Sequence, residues 1–235
     1  MIINKDCYDY LPNIESNSVE LILIDPPYSI SKESNFRKYT KNANKDVITK
    51  FSNIRTNFGE WDNVILDWNL LFSEFYRILK KGGTIIIFYD IWKLDDIKRH
   101  ADKYKLKQPR ICTWIKTNPV PINSKHNYLS NSKEFFFSFV KSGKPTFNSE
   151  YDNGLYTYPI CNGKERVEHP TQKPLSLIKN LIEKHTNEND TILDCFAGSG
   201  TTGIACDLLN RKYILIEKDK QYYDLILKRI KNNIL

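Results

Sequence analysis

Ile192-Leu-Asp-Cys-Phe-Ala-Gly-Ser-Gly-Thr-Thr-Gly203 runs from an apolar stretch through a glycine turn into a helix-forming segment. A strand is expected over 191–196 and a helix over 201–210. Gly198 and Gly200 let the chain turn tightly and let a ligand come close where a Cβ would collide. With Gly203 they satisfy G-x-G-x-x-G. Glu217 then ends the next strand, expected over 213–217, near the distance at which an acid takes ribose hydroxyls. A plain strand–helix turn explains a lone G-x-G, but not strand, glycines, helix, second strand and terminal acid in that order. The segment therefore predicts an adenosine-containing cofactor across the carboxyl end of the strand. No Gly-Lys-Ser/Thr follows, so this is not a phosphate-cradling loop.

Both NAD and S-adenosylmethionine fit such a turn. Only 35 residues follow Gly200, so the rest of the sheet has to come from the N-terminal part of the chain. Strands are expected over 2–4, 19–25 (VELILID), 84–89, 111–116 and 134–140. Helices are expected over 7–11, 66–80, 93–104, 174–185 and 220–232, the second stopped by Gly82-Gly83. This alternation predicts one α/β domain over 1–235, a doubly wound, mostly parallel, Rossmann-like sheet. Two stretches interrupt it. Residues 29–60 are polar and basic with little periodicity, and about 105–165 forms an irregular insertion containing Asn118-Pro119 and Pro121.

Composition sets the outer bounds. The chain has 235 residues, 27% of them charged and 40% hydrophobic, with a net charge of +7. That describes an ordinary globule with enough length to bury a core. The longest apolar runs, Leu21–Ile24 and Ile85–Phe88, are strand-sized, so no membrane span is expected, and the N-terminus lacks a secretory signal. Five scattered cysteines without a C-x-x-C pair argue against disulfides and zinc and for the cytoplasm. Four histidines without ligand spacing add no metal site.

Asp25-Pro26-Pro27-Tyr28 ends the VELILID strand. A rigid turn explains the two prolines but not the acid and the aromatic held on either side of them. The Asp25 carboxylate and the Pro26 carbonyl can accept two hydrogen bonds from one amino group, and the Tyr28 ring offers a face on which a planar base can stack. The exocyclic amine of a nucleobase is a poor nucleophile because its lone pair is delocalised into the ring. Two acceptors placed off the ring plane favour a more pyramidal nitrogen and stabilise the positive charge that develops as a methyl group arrives. Methylation at cytosine C5 needs a cysteine nucleophile, typically after proline, and the chain has no Pro-Cys.

Asp25-Pro-Pro-Tyr28 together with Asp194-Cys-Phe-Ala-Gly-Ser-Gly-Thr-Thr202 resembles the S-adenosylmethionine-dependent DNA amino-methyltransferases. The catalytic motif precedes the glycine motif, as in the circularly permuted β class, whose members with Asp at the first position mostly modify adenine N6. Phe58-Gly-Glu-Trp-Asp62, Trp114-Ile-Lys-Thr-Asn-Pro119 and His169-Pro-Thr-Gln-Lys-Pro174 extend the likeness over nearly the whole chain. The resemblance implies that Asp25, Pro26, Pro27 and Tyr28 are catalytic. It implies a cofactor site of Asp6, Cys7, Asp25, Thr171, Lys173, Asp194, Phe196, Ala197, Gly198, Ser199, Gly200, Thr201, Glu217 and Lys218. Within it Phe196–Gly200 wrap the methionine end, Glu217 holds the ribose, Asp6 contacts the adenine and Lys173 pairs with the cofactor carboxylate. The strands bearing the two motifs are then neighbours at the switch point of the sheet, with the final helix bridging 191–217 and the first strand. His169 is expected to be structural.

Such an enzyme has to flip its target base out of double-stranded DNA. Residues 32–55 hold seven basic and two acidic side chains, and 103–145 hold nine basic and one acidic, Glu134. These segments carry +5 and +8, leaving −6 for the rest of the chain. Lys32, Arg37, Lys38, Lys41 and Arg55 are expected to contact DNA from a mobile 29–60 loop that closes over the base. Asn118, Asn123, Lys125, His126 and Asn127 are expected to do so from a target-recognition region over 105–165. Cytosine N4 is the alternative target, and a nicotinamide-dependent oxidoreductase the more distant alternative. A homodimer and a cognate restriction endonuclease complete the expected partners.

Overall fold

The computed structural model describes residues 1–28, 65–119 and 131–231. The chain divides into a body, Met1–Pro26 with Asp67–Leu235, and a unit of its own, Pro27–Leu66. The expected mobile loop over 29–60 lies outside the described residues, apart from which the body can be followed strand by strand.

Eight strands make one sheet in the order β1-β8-β7-β2-β3-β5-β4-β6. They are β1 (Ile2–Asn4), β2 (Val19–Ile24), β3 (Leu79–Phe88), β4 (Lys107–Lys116), β5 (Lys133–Val140), β6 (Leu155–Tyr158), β7 (Thr191–Asp194) and β8 (Lys212–Glu217). Five of the seven pairings are parallel; β5 runs antiparallel to both β3 and β4. The helices are α1 (Cys7–Tyr10), α2 (Trp68–Ile78), α3 (Leu94–Lys103), α4 (Leu175–His185), α5 (Thr201–Leu208) and α6 (Lys220–Lys231). Central strand β2 is buried along Leu21–Ile24, as an apolar run without alternation requires in a parallel sheet.

The glycine strand and the strand ending in Asp25 are neighbours, with Leu21 opposite Ile192 and Ile22 opposite Leu193. β1 pairs with β8 in parallel, Ile2 opposite Leu215, so the first strand completes the cofactor half begun near the end of the chain. The final helix packs across that joint, with Ile226 and Ile230 against Leu215, Ala197 and Ile2. The permuted order expected from the motifs is thus the observed one.

Helix α2 follows from its periodicity. Trp68, Leu71, Phe72, Phe75 and Ile78 are buried on one stripe, and the Asp67 side chain caps the N-terminus by accepting from the Leu70 N–H at 3.0 Å. Its C-terminus differs from expectation. The helix ends at Ile78 and β3 begins at once, so Gly82-Gly83 lie inside the strand rather than stopping the helix. Their task is to meet the returning chain after β5. The Gly82 N–H donates to Lys141 and Ser142 carbonyls at 2.8 and 2.6 Å. Gly82 has φ of +81°, and a Cβ there would lie 2.5 Å from the Lys144 carbonyl oxygen.

The region over 105–165 is also more regular than expected. It supplies three strands of the main sheet, and β6 falls in a stretch that reads as loop. Phe136 and Phe137 on β5 are buried, and Phe136 packs against Phe88 of β3 with ring centroids 4.8 Å apart. Two of the cations counted there serve the body: Lys141 donates to the Leu79 carbonyl at 2.7 Å, and Lys116 pairs with Glu134.

Gly82→Ala combines a left-handed φ with a collision against a carbonyl that cannot rotate away. It should lower unfolding free energy by about 2 kcal/mol or more in urea titrations. Unchanged stability would mean the turn does not need glycine.

Candidate active site

The carboxyl ends of β2 and β7 open into a cleft of about 400 Å³, counting its mouth. Asp25, Phe88, His169, Thr171, Gln172, Lys173, Asp194, Phe196, Ala197, Gly198, Ser199, Thr201 and Thr202 line it. Of the expected cofactor residues, nine border this cleft. Asp6, Cys7, Gly200, Glu217 and Lys218 are not among the residues that line it. The crevice outside the carboxyl ends of parallel strands, where the strand order reverses, is where α/β sheets leave room for a ligand.

The glycine turn is held by protein groups on several sides. Glu217 Oε2 accepts from the Gly198 N–H at 2.7 Å, and its Oε1 accepts from the Asp219 N–H at 2.8 Å. Burial pushes this carboxyl up to about 6 against those two donors. Gly198 has φ of +48°, and a Cβ on it would lie 2.9 Å from His169 Nε2. The close approach allowed by Gly198 is therefore to a histidine of the chain itself. Below, the buried Arg229 of α6 donates to the Ser199 carbonyl at 2.6 Å. Burial pushes His169 down to about 4, so its ring is neutral near pH 7 and packs 4.6 Å from the Tyr222 ring. Its expected structural role fits that packing.

Asp194, the last residue of β7, accepts from the Thr202 hydroxyl at 2.6 Å and from the Phe196 N–H at 3.1 Å. Burial raises this carboxyl to about 7; the two hydrogen bonds counter it, and Asp25 and Glu217 add to it. Asp6 and Lys218, at the ends of β1 and β8, pair at 2.8 Å, and Asp6 also caps α1 through the Tyr8 N–H at 3.1 Å.

The least expected feature concerns Lys173. Its buried ammonium forms an ion pair with Asp25 and stands 3.3 Å from Glu134 Oε2 on β5. Glu134 Oε1 in turn meets Lys116 Nζ of β4 at 2.7 Å. Burial acts to lower the Lys173 pKa, but Asp25 and Glu134 outweigh it and hold the ammonium above its usual range. The same pairing holds Glu134 below the usual carboxylate range despite its burial. Asp25 thus lines the cleft while paired with a buried ammonium. Pro26 ends the body beside it, whereas Pro27 and Tyr28 belong to the 27–66 unit.

A DNA methylase family model, covering the N6 and N4 methylases, matches residues 19–228. The chain belongs to that family. This methylase is 32% identical to the type II methyltransferase M.HinfI of Haemophilus influenzae, over 98% of its own length and 68% of the relative's. It is also 32% identical to M2.MboI of Moraxella bovis, over 97% and 86% of the two chains. Among solved structures, an M1.HpyAVI–SAM complex superposes with a TM-score of 0.71 at 28% identity, covering 98% of each chain. The cytosine-N4-specific PvuII methyltransferase reaches 0.73 at 18% identity, covering 97% of this chain and 85% of that one, a likeness of fold alone.

Sequence reading missed Glu134, Lys116, Gln172 and Arg229 as parts of the methylase site. Glu134 was visible only as the one acid in a basic run, and Arg229 reads as one more charge on an amphipathic helix. Of the expected DNA contacts, Lys32, Arg37, Lys38, Lys41, Arg55, Asn123, Lys125, His126 and Asn127 lie outside the described residues. Asn118 is described, and its side-chain oxygen accepts from the Ile160 N–H at 2.7 Å, so that acceptor braces a loop rather than facing a base edge.

The buried Asp194 makes a signed pH prediction. Its folded pKa is raised from 3.8 to about 7, so between those values the folded state holds a proton that the unfolded chain releases. Its contribution is intact at low pH and is lost as pH rises to about 7. The advantage of Asp194→Asn over wild type in thermal unfolding should therefore grow by roughly 1 kcal/mol per pH unit from pH 5 to 7, then level off. A constant difference would mean that Asp194 is ionised throughout.

Proposed function

We propose that this methylase is a site-specific DNA adenine-N6 methyltransferase that uses S-adenosylmethionine. The observation that carries the proposal is Asp25 at the end of β2, ion-paired with the buried Lys173, on the strand next to the one that leads into the glycine turn. A carboxylate accepts hydrogen bonds but donates none, so it suits an amine that must keep its lone pair for the methyl group.

The residues present fit the cofactor by their chemistry. Each Glu217 oxygen accepts one backbone N–H and keeps acceptor capacity for a hydroxyl, as a vicinal ribose diol requires. Phe196, Ala197, Gly198, Ser199 and Thr201 line the cleft, and the adenine end is assigned to Asp6 and Lys218, which pair at 2.8 Å. When bound, S-adenosylmethionine supplies an electrophilic methyl on a sulfonium. Asp25 and the Pro26 carbonyl accept the two N–H groups of the target amine and leave its lone pair directed outward. Asp25 offsets the positive charge that grows on nitrogen, and the amine proton leaves through it or through water. The Tyr28 ring stacks on the flipped base, whose extrusion costs a few kcal/mol.

Adenine is favoured over cytosine because the first motif position is Asp rather than the Ser more frequent among cytosine-N4 enzymes. The family match sets the nicotinamide alternative aside. Among the described residues no helix is long and apolar enough to cross a membrane. The type II names of the relatives support a partnership with a cognate restriction endonuclease, and a homodimer working in the cytoplasm completes the proposal. The basic residues of 32–55 and of 103–145, apart from Lys116 and Lys141, are assigned to DNA on their charge and on their flanking of the catalytic motif and the insertion.

Duplex DNA treated with the purified protein and S-adenosylmethionine, then digested to nucleosides, should yield N6-methyldeoxyadenosine by mass spectrometry. N4-methyldeoxycytidine would overturn the choice of base.

A further inference from the structure

We infer that Glu134 is a positioning residue that sets how much negative charge Asp25 presents to the cleft, acting through the Lys173 ammonium. The inference rests on the reading of Asp25 as the amine acceptor and goes beyond it to a residue outside the cleft.

Four charges alternate along one path: Asp25 on the end of β2, Lys173 before α4, Glu134 on β5 and Lys116 on β4. Lys173 pairs with Asp25 and stands 3.3 Å from Glu134 Oε2, while Glu134 Oε1 is 2.7 Å from Lys116 Nζ. The Lys173 side chain is 6% exposed, so water screens these pairs little. The Phe88 ring, centroid 5.3 Å from the ammonium, forms an apolar wall beside it. Among the described residues, Asp194 also senses Asp25 and His169 also senses Lys173.

Without Glu134, the full Lys173 charge would be directed at Asp25, whose carboxylate would become a weaker acceptor. Sharing the ammonium between two carboxylates leaves Asp25 part of its charge, and Lys116 limits how strongly Glu134 competes. These four charges sum to zero, so removing Glu134 or removing Lys116 changes their net charge by one, in opposite directions. A cationic sulfonium ligand feels that shift, and a neutral thioether of the same shape does not. Glu134 itself does not line the cleft.

The test compares S-adenosylmethionine with S-adenosylhomocysteine by calorimetry on the whole protein. In Glu134→Gln, Kd for S-adenosylmethionine should rise about fivefold or more relative to Kd for S-adenosylhomocysteine. Glu134→Asp, which keeps the charge, should restore most of that ratio. Lys116→Met should move the ratio the other way by about twofold, and it keeps the test decisive if Glu134→Gln does not fold. Equal weakening of both ligands, or no change in the ratio in either variant, would overturn the role. Failure of wild type to bind either ligand would instead overturn the cofactor assignment itself.

Discussion

The parallel pairing of β2 with β7 is the constraint on which the rest of the site depends. It joins a strand near the start of the chain to one near its end, setting Leu21 and Ile22 opposite Ile192 and Leu193. Asp25 and Asp194 follow directly from those strands, so both motifs open on the same edge of the sheet. Everything specific to the chemistry, from the glycine turn to the Lys173 pair, is hung on that edge. The first strand and the final helix are consequences of the permuted order: β1 closes the sheet against β8, and α6 spans the joint through Ile226 and Ile230.

The glycine turn is shaped by the protein before any ligand arrives. Glu217 holds the Gly198 N–H, His169 fills the space a side chain on Gly198 would need, and Arg229 holds the Ser199 carbonyl from beneath. Such bracing reduces the ordering that binding has to supply. The electrostatics follow the same plan. Asp194, buried and hydrogen-bonded, is raised to about 7, while Asp25 a strand away is paired with a buried ammonium. Two carboxylates at one cleft edge are thus set apart by their partners, Asp194 held by a hydroxyl and a backbone N–H and Asp25 by an ammonium.

Much of this was legible in the sequence because it is local. An apolar run ending in Asp-Pro-Pro-Tyr, a glycine turn between strand and helix, and an acid at the next strand end each announce themselves within a few residues. The order of the motifs then fixed which strands had to meet. What was not legible depends on distant neighbours. Gly82-Gly83 read as a helix stop, but they serve a returning chain some 60 residues on, at Lys141 to Lys144. β6 is four residues long and pairs only with β4, so its pattern is too short to register. Glu134 was hidden because its partners come from two other elements: a charge count places it among cations without showing that one of them, Lys116, and the distant Lys173 both pair with it. For the same reason the +8 of 103–145 overstated the surface charge: Lys116 and Lys141 are spent within the body.

The central claim is that Asp25 acts on the substrate amine while the glycine turn holds the cofactor. Measuring both functions in Asp25→Asn separates them. S-adenosylhomocysteine binding should stay within about tenfold of wild type, while methyl transfer from labelled S-adenosylmethionine to duplex DNA falls by at least about a hundredfold. Transfer within a few fold of wild type would contradict the account.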